Sequence, residues 1–255
     1  MGILSVSSNV GMSAGPFFGS LIANAYTIET MFYVSSGIGI IAAILIYSMK
    51  ETLPEKQSFA LKLLHVKRNE ILEFQALAPA IVTFFTYFCF GAFLTIIPDQ
   101  ADFVGLKSRG TAFAAYTIAT IASRLFAGQI ADRFGRVLMM KIAIIPLTVS
   151  VAMFGFITTP FGLLFAAVGM GFSLGIAGPA IFAWAIDRSA DGRRGRALGT
   201  VYIAVEAGIG VAAVATAAIF ANNVQNFDLT WFFVAAVTLL GLVYLQFGTY
   251  EREKK

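Results

Sequence analysis

Long runs of hydrophobic residues alternate along the chain with shorter polar segments. Eight of these runs are close to or above the ~20 mostly apolar residues that a helix needs to cross the hydrocarbon core of a bilayer. The pattern predicts an all-α fold, a polytopic membrane protein with eight transmembrane helices. In chain order, the predicted spans are Gly2–Ala25, Met31–Met49, Ala76–Ile97, Thr111–Ile130, Val137–Thr158, Phe161–Ile186, Ala197–Ala221 and Leu229–Phe247.

The composition agrees with a lipid environment. Of the 255 residues, 58% are hydrophobic and 13% are charged, which leaves too few polar side chains to cover the surface of a water-soluble protein. Gly2–Ala25 is interpreted as a helix rather than a signal peptide, because it lacks a basic start and a small-residue cleavage site. The lipid bilayer is therefore the first predicted partner.

Cys89 and His65 are the only cysteine and the only histidine. A single cysteine excludes an intramolecular disulfide and a cysteine metal cluster. The sequence contains neither a histidine–carboxylate cluster nor a nucleophile motif that would indicate an enzyme. We therefore expect no metal, no cofactor and no enzymatic activity. Nucleic-acid binding is not expected either, because the basic residues lie in loops between hydrophobic spans, where they set orientation.

The distribution of Lys and Arg predicts the orientation of the chain. With eight spans, both termini lie on one side of the membrane. The loops and flanks on that side carry fifteen Lys and Arg residues, whereas the opposite loops carry only Lys107 and Arg109. Basic residues concentrate on the cytoplasmic side. The prediction is a multi-pass protein of the plasma (inner) membrane with both termini in the cytoplasm.

The two ends of the chain resemble each other. A shift of 197 residues places Gly11 on Gly208, and a shift of 200 residues places Thr30–Val34 on Thr230–Val234. The first two spans thus resemble the last two, which indicates a repeat of six helices. The alternative is a chance similarity, because glycine and phenylalanine recur in any membrane protein.

The segment between the fourth and fifth spans reads Gly-Gln-Ile-Ala-Asp-Arg-Phe-Gly-Arg over residues 128–136. Its glycines allow a tight turn, its aspartate can lie at the positive amino end of a neighbouring helix, and its arginines can pair with carboxylates. The segment resembles the signature loop of the major facilitator superfamily in its second copy. Val137 replaces the last basic residue of the fuller pattern. The predicted gating residues are Gly128, Asp132, Arg133, Gly135 and Arg136.

The first span carries a second motif, formed by Gly2, Gly11, Gly15, Pro16 and Gly19. Glycines four residues apart share a helix face and let a neighbouring helix approach closely, and proline bends the helix by removing a backbone donor. The pattern resembles the antiporter motif in the fifth helix of major facilitator drug and proton antiporters. It departs from that motif at Ser20, where the family usually has glycine. The alternative is close packing without any meaning for export.

The resemblance implies two six-helix halves related by an axis along the membrane normal. In this interpretation, the chain contains the last eight of twelve helices, an incomplete six-plus-six fold. Residues 1–49 are the last two helices of the first half, residues 50–75 are a cytoplasmic loop, and residues 76–255 are the second half. The signature loop would contact the cytoplasmic start of the first span, around Gly2, and bias the inward-open against the outward-open state.

Arg124 lies inside the fourth span and Glu206 inside the seventh. An ionisable residue in a transmembrane segment is expected to face a cavity or a partner. Both residues are therefore predicted to belong to a substrate or proton site. Arg124 has an alternative, because it lies one turn from Gly128 and its guanidinium can snorkel to the inner surface.

The resemblance predicts secondary active transport, namely proton-coupled export of a small organic molecule. Its partners would be the bilayer, that small molecule and protons. Two alternatives stay open. One is a sugar or metabolite transporter of the same family, and the other is a truncated chain that does not transport or that serves as a partner subunit.

Overall fold

A computed structural model describes residues 17–49, 72–190 and 192–247, together with Gly11 and Gly15, and it describes only the backbone of residues 127–134. The described residues form helices joined by short turns, and no strand occurs among them. The chain is therefore all-helical, as its hydrophobic runs predict.

The helices are numbered so that each carries the number of the corresponding predicted span. Two single 3₁₀ turns, Phe74–Ala76 and Val224–Asn226, lead into α3 and α8. The described helices are α1 (residues 17–25), α2 (Ile28–Tyr47), α3 (Leu77–Phe103), α4 (Gly110–Phe134), α5 (Arg136–Phe154), α6 (Pro160–Asp187), α7 (Arg194–Phe220) and α8 (Phe227–Phe247).

Six helical segments of the described chain are long and apolar enough to cross a membrane. They correspond to the second, third and fifth to eighth predicted spans. The first predicted span lies largely outside the described residues, and the fourth forms α4 without being one of the six. The chain is therefore a multi-pass membrane protein, and the count of eight spans stays a prediction. The six segments are Ile28–Tyr47, Phe74–Phe103, Arg136–Phe154, Pro160–Asp187, Arg194–Phe220 and Val224–Phe247.

Helix α3 continues beyond its predicted end at Ile97, through Pro98 to Phe103. The predicted span ends at Ile97 because polar residues follow it. One of these polar residues, Gln100, is nevertheless fully buried. Its amide donates a hydrogen bond to the carbonyl of Phe154 at 2.7 Å and accepts one from the indole N–H of Trp231 at 2.8 Å. Because these bonds satisfy the amide, the helix remains packed to its end, and the network joins α3, α5 and α8.

The packing of α3 to α8 has an internal symmetry. The main contacts are α3 with α7 and α8, α6 with α4 and α5, and α5 with α8. If α3, α4 and α5 are matched in order to α6, α7 and α8, the α3–α7 contact maps onto α6–α4, and α3–α8 maps onto α6–α5. The α5–α8 contact maps onto itself. This is the pairing expected of two three-helix repeats within a six-helix unit.

Glycines bring the symmetry-related helix pairs together. A Cβ atom on Gly91 of α3 would collide with the carbonyl oxygen of Ile209 on α7, and one on Gly171 of α6 would collide with the carbonyl oxygen of Tyr116 on α4. Small residues at such crossings let helix backbones approach closely. Gly171 and Gly175 of α6 are therefore explained by packing against α4, and Gly169 by packing against Ser150 of α5.

We expect Gly171→Ala to lower the thermal unfolding temperature of the detergent-solubilised protein. The added methyl group meets backbone, so α4 and α6 must separate, at a cost of about 1–3 kcal/mol. Gly210→Ala is the control, because a Cβ there meets nothing within 4 Å and alanine favours the helix. Equal unfolding temperatures for the two variants would contradict this packing.

Helix α2 differs from the others because it buries none of its 20 residues. Thr27 caps its start by accepting a hydrogen bond from the backbone N–H of Thr30 at 3.2 Å. Nearby, the hydroxyl of Ser20 on α1 lies 3.0 Å from the hydroxyl of Ser108 in the loop between α3 and α4. The apolar surface of α2 is thus available to lipid or to other helices.

Candidate functional site

Arg124 of α4 lies well away from the ends of the helix. It is about ten residues before the end of α4 at Phe134, or ~15 Å along the axis. Its side chain is half-buried, and its Nη2 atom is 3.3 Å from the point that a Cβ on Gly178 would occupy. The guanidinium therefore lies against α6 at Gly178.

Tyr87 of α3 meets Arg124 over the same glycine. Its hydroxyl oxygen lies 3.6 Å from the position of a Cβ on Gly178. Gly178 is buried, and any side chain at this position would press against both groups. Two polar groups from two helices thus converge on the bare backbone of a third helix.

An aromatic pair lies one turn further along α6. The ring of Phe182 is 5.1 Å from the ring of Tyr202 on α7, with the planes at 41°. Tyr202 is exposed. These contacts connect four helices, and we name the group the Arg124 cluster. Its members are Tyr87, Arg124, Gly178, Phe182 and Tyr202.

The cluster lies at one level of the helix bundle. In the predicted orientation, α3 and α7 begin on the cytoplasmic side and α4 and α6 end there. Four members lie about eight to ten residues from these ends, or ~12–15 Å along each axis. That is near the middle of a hydrocarbon core about 30 Å thick. The four members are Tyr87, Arg124, Gly178 and Tyr202.

Glu206 lies beside the cluster and is not a member of it. It follows Tyr202 by one turn of α7 and is exposed. The two ionisable residues predicted from the sequence therefore lie on different helices. Arg124 contacts α6, and Glu206 lies on the open face of α7.

The signature segment forms the junction between α4 and α5. Gly135 is the single residue between these helices, and its φ of 86° and ψ of 151° favour glycine. The Nε atom of Arg136 lies 3.3 Å from a carboxylate oxygen of Asp187, at the end of α6. This ion pair joins α5 to α6. Gly128, Asp132 and Arg133 belong to the stretch described by backbone alone, so their predicted roles stay predictions.

Two of the five residues of the antiporter-like motif, Gly2 and Pro16, lie outside the described residues. A Cβ on Gly11 or Gly15 would meet nothing within 4 Å, whereas one on Gly19 would lie 3.4 Å from the sulfur of Met31 on α2. Of the described motif glycines, Gly19 therefore lies against a neighbouring helix.

A second ion pair lies at the same end of the bundle. Glu73, just before α3, is buried and lies 3.8 Å from Arg193 at the start of α7. The backbone N–H of Glu73 donates to the hydroxyl of Thr200 at 2.9 Å, and Arg188 donates to the carbonyl of Gln75 at 3.1 Å. These contacts attach the segment that leads into α3 to the end of α6 and the start of α7. No local pattern predicts these contacts, because the hydrogen-bonded partners are more than a hundred residues apart.

The opposite end of the bundle has an ion pair of its own. Both carboxylate oxygens of Asp102 accept hydrogen bonds from the guanidinium of Arg109. The hydrogen bond and the negative charge of Asp102 raise the pKa of Arg109 above its ordinary value. The pair closes the loop between α3 and α4.

Most transmembrane threonine hydroxyls form hydrogen bonds to the backbone of their own helix. The hydroxyls of Thr83, Thr86, Thr95 and Thr117 donate to carbonyls four residues earlier. Tyr87 is different, because its hydroxyl lies beyond the reach of its own backbone and meets α4 and α6. Within the described residues, no three His, Cys, Asp or Glu side chains are grouped to hold a metal ion.

The helices define a multi-pass membrane protein in which Arg124 lies about ten residues from the end of α4. The family model of the Major Facilitator Superfamily matches residues 1–106 and 79–255, which together span the chain. The chain belongs to this superfamily and is a transporter of the major facilitator type, with the bilayer and a small molecule as partners. The resemblance to the major facilitator superfamily is thus confirmed, whereas the antiporter subtype and the assignment to the last eight of twelve helices stay predictions. No curated protein matches the chain.

Proposed function

We propose that the protein exports a small organic molecule in exchange for protons, and that the Arg124 cluster forms part of the substrate path. The observation that carries this proposal is the position of the Arg124 guanidinium, which lies with the Tyr87 hydroxyl against Gly178 of α6, about ten residues from the end of α4. A charge at the centre of a membrane helix costs about 2.5–3.5 kcal/mol on insertion scales. In transporters of this architecture, substrate sites lie near the midplane.

The ion pairs at the predicted cytoplasmic end join helices of the second six-helix half to each other. Arg136 with Asp187 joins α5 to α6, and Arg193 with Glu73 joins α7 to the entry of α3. These contacts hold the helices of this half together while it moves against the first half. The gate between the two halves is assigned to the signature segment, whose contacts bias the inward-open against the outward-open state. The proposed direction of transport, which is export, rests on the resemblance of the first span to the antiporter motif.

A second candidate is a chain that works with a partner. It is favoured by α2, a 20-residue apolar helix that buries none of its residues. In this case the Arg124 cluster would still bind a substrate, and the partner would cover the other side of the path. Transport by the purified chain alone separates the two candidates.

Cysteine labelling tests the orientation. In a Cys89→Ala background, cysteines at positions 67 and 133 should react with a membrane-impermeant maleimide only from the cytoplasmic side. A cysteine at position 107 should react only from outside, because Lys107 lies exposed in the loop between α3 and α4. The reverse pattern would overturn the predicted topology.

Glu206→Gln tests the proton site. Since an amide cannot take up or release a proton, we expect the variant to lose the dependence of the transport rate on pH, or to change its substrate range. Asp228→Asn is the matched control, because Asp228 lies exposed at the start of α8. A transport rate with an unaltered pH profile would remove Glu206 as the coupling residue.

A further inference from the structure

We propose that Ser20 of α1 is a latch that closes the outer end of the transporter, by capping the start of α4 from the other half of the fold. In the predicted division of the chain, α1 belongs to the first six-helix half and α4 to the second. The inference deepens the proposed function and rests on it, because a latch has a role only where the two halves move against each other. The relative position of the halves can be measured without any substrate.

The Ser20 latch consists of two contacts of one hydroxyl group. The hydroxyl oxygen of Ser20 accepts a hydrogen bond from the backbone N–H of Gly110, the first residue of α4, at 3.3 Å. It also lies 3.0 Å from the hydroxyl oxygen of Ser108. Because a hydroxyl can donate one hydrogen bond and accept others, both bonds form at once. They link residues 90 and 88 positions apart, and they cross from one predicted half to the other.

The start of α4 has no acceptor of its own at the usual capping position. The first N–H groups of a helix have no partner within the helix, and a Ser, Thr, Asp or Asn just before the helix commonly supplies one. Here that residue is Arg109, whose side chain has only donors and is paired with Asp102. Since Gly110 is buried, its N–H would be costly to leave without a partner. Ser20 supplies the acceptor from another helix.

The latch joins two units that are each held by contacts of their own. Asp102 and Arg109 close the loop between α3 and α4, and Gly105 turns within this loop at a φ of 77°, which favours glycine. On the other side, Gly19 lies against α2, so α1 packs on its own neighbour. Opening of the outer end therefore breaks the hydrogen bonds of Ser20 while both units stay folded.

The opposite end of α4 carries the signature segment, which is predicted to contact the inner start of α1. Helix α4 has 25 residues, which corresponds to a length of about 37 Å. When the two halves tilt, one end opens as the other closes. The Ser20 latch is formed at the outer end, so its hydrogen bonds stabilise the inward-open state and shift the balance of the two states toward it.

Distances between spin labels test the latch in the purified full chain, without substrate and with the native cysteine replaced by alanine. One pair of labelled cysteines replaces Tyr26 and Val224, which are exposed at the outer ends of the two halves. Another pair replaces Tyr47 and Ala190, exposed at the inner ends. We expect Ser20→Ala to shift the populations about two- to tenfold toward a longer outer and a shorter inner distance, the effect of losing a neutral hydrogen bond.

Further variants separate a latch from an ordinary helix cap. Ser20→Thr keeps a hydroxyl and should keep both distance distributions. Ser108→Ala removes one of the two contacts and should cause a smaller shift than Ser20→Ala. Ser35→Ala is the matched control, because the hydroxyl of Ser35 donates to the carbonyl of Met31 within α2, at 2.9 Å. A cap without a latch function would lower the thermal unfolding temperature of Ser20→Ala and leave both distances unchanged.

The proposal is overturned if Ser20→Ala leaves both distributions unchanged, if Ser35→Ala shifts them equally, or if the outer distance lengthens while the inner distance stays the same. Where Ser20→Ala does not fold, Ser108→Ala decides the outcome. Failure of the latch differs from failure of the proposed function. Populations that shift in Ser20→Ala, in a chain that moves no compound, support the latch and refute transport. Proton-coupled export by a chain whose distances do not respond to Ser20→Ala refutes the latch and supports the function.

Discussion

Asp132→Asn is expected to abolish transport while the protein still reaches the membrane. Asp132 lies near the end of α4, three residues before the Gly135 turn, where the signature segment joins two helices. A carboxylate at a helix junction accepts charge-assisted hydrogen bonds that an amide replaces only weakly. At about 1.5–3 kcal/mol for each lost bond, two such bonds alter the balance of conformations by two orders of magnitude or more.

The measurement for Asp132→Asn is the initial transport rate per molecule of protein in the membrane, with the compound that the unaltered protein moves fastest. Asp99→Asn is the control, because Asp99 is an exposed carboxylate at the opposite end of α3. We expect Asp99→Asn to transport normally. A rate for Asp132→Asn within about twofold of the rate of the unaltered protein would rule out the gating role, because twofold corresponds to a free-energy change of only about 0.4 kcal/mol.

Gln100→Leu should cause the largest loss of stability. The side chain of Gln100 is fully buried. Its amide donates a hydrogen bond to the carbonyl of Phe154 and accepts one from the indole N–H of Trp231. Leucine would leave a buried carbonyl and a buried N–H without these bonds, at about 1–3 kcal/mol each. The rings of Phe154 and Trp231 are stacked with centroids 4.6 Å apart, so the loss also loosens the contact between α5 and α8.

Thermal unfolding in detergent measures this loss, with Gln225→Leu as the control. Gln225 lies exposed in the 3₁₀ turn before α8, and its replacement should leave the unfolding temperature nearly unchanged. A loss of a few kcal/mol in a helical unit of this size corresponds to a decrease of roughly 5–10 °C. If Gln100→Leu and Gln225→Leu unfold at the same temperature, the network does not stabilise the bundle.

The hydrophobic pattern predicts the helices well because a bilayer sets one strong requirement, a run of apolar residues of fixed length. The boundaries are less well predicted where a polar residue finds partners far away in the chain. Gln100 is such a case, since its partners lie 54 and 131 residues further on. Hydropathy therefore ends α3 at Ile97, whereas packing continues it to Phe103.

The candidate site was predictable only through its charge. Arg124 stands out in an apolar helix, but its neighbours Gly178 and Phe182 have the appearance of ordinary packing residues. They become significant because α4 crosses α6 closely at glycines, which brings the guanidinium against Gly178. No local pattern encodes that crossing. The pairing of Arg136 with Asp187 is similar, because both residues lie at helix ends 51 positions apart.

The measurement that tests the central claim most directly is proton movement in proteoliposomes that contain the purified chain and a trapped pH-sensitive dye. Vesicles are loaded with one compound at a time from a panel of aromatic anions, aromatic cations and neutral sugars. We expect at least one compound of the panel to leave the vesicles while protons enter, with Asp132→Asn inactive. Correctly inserted protein that moves no protons with any compound, or that moves protons in the same direction as the compound, would contradict proton-coupled export.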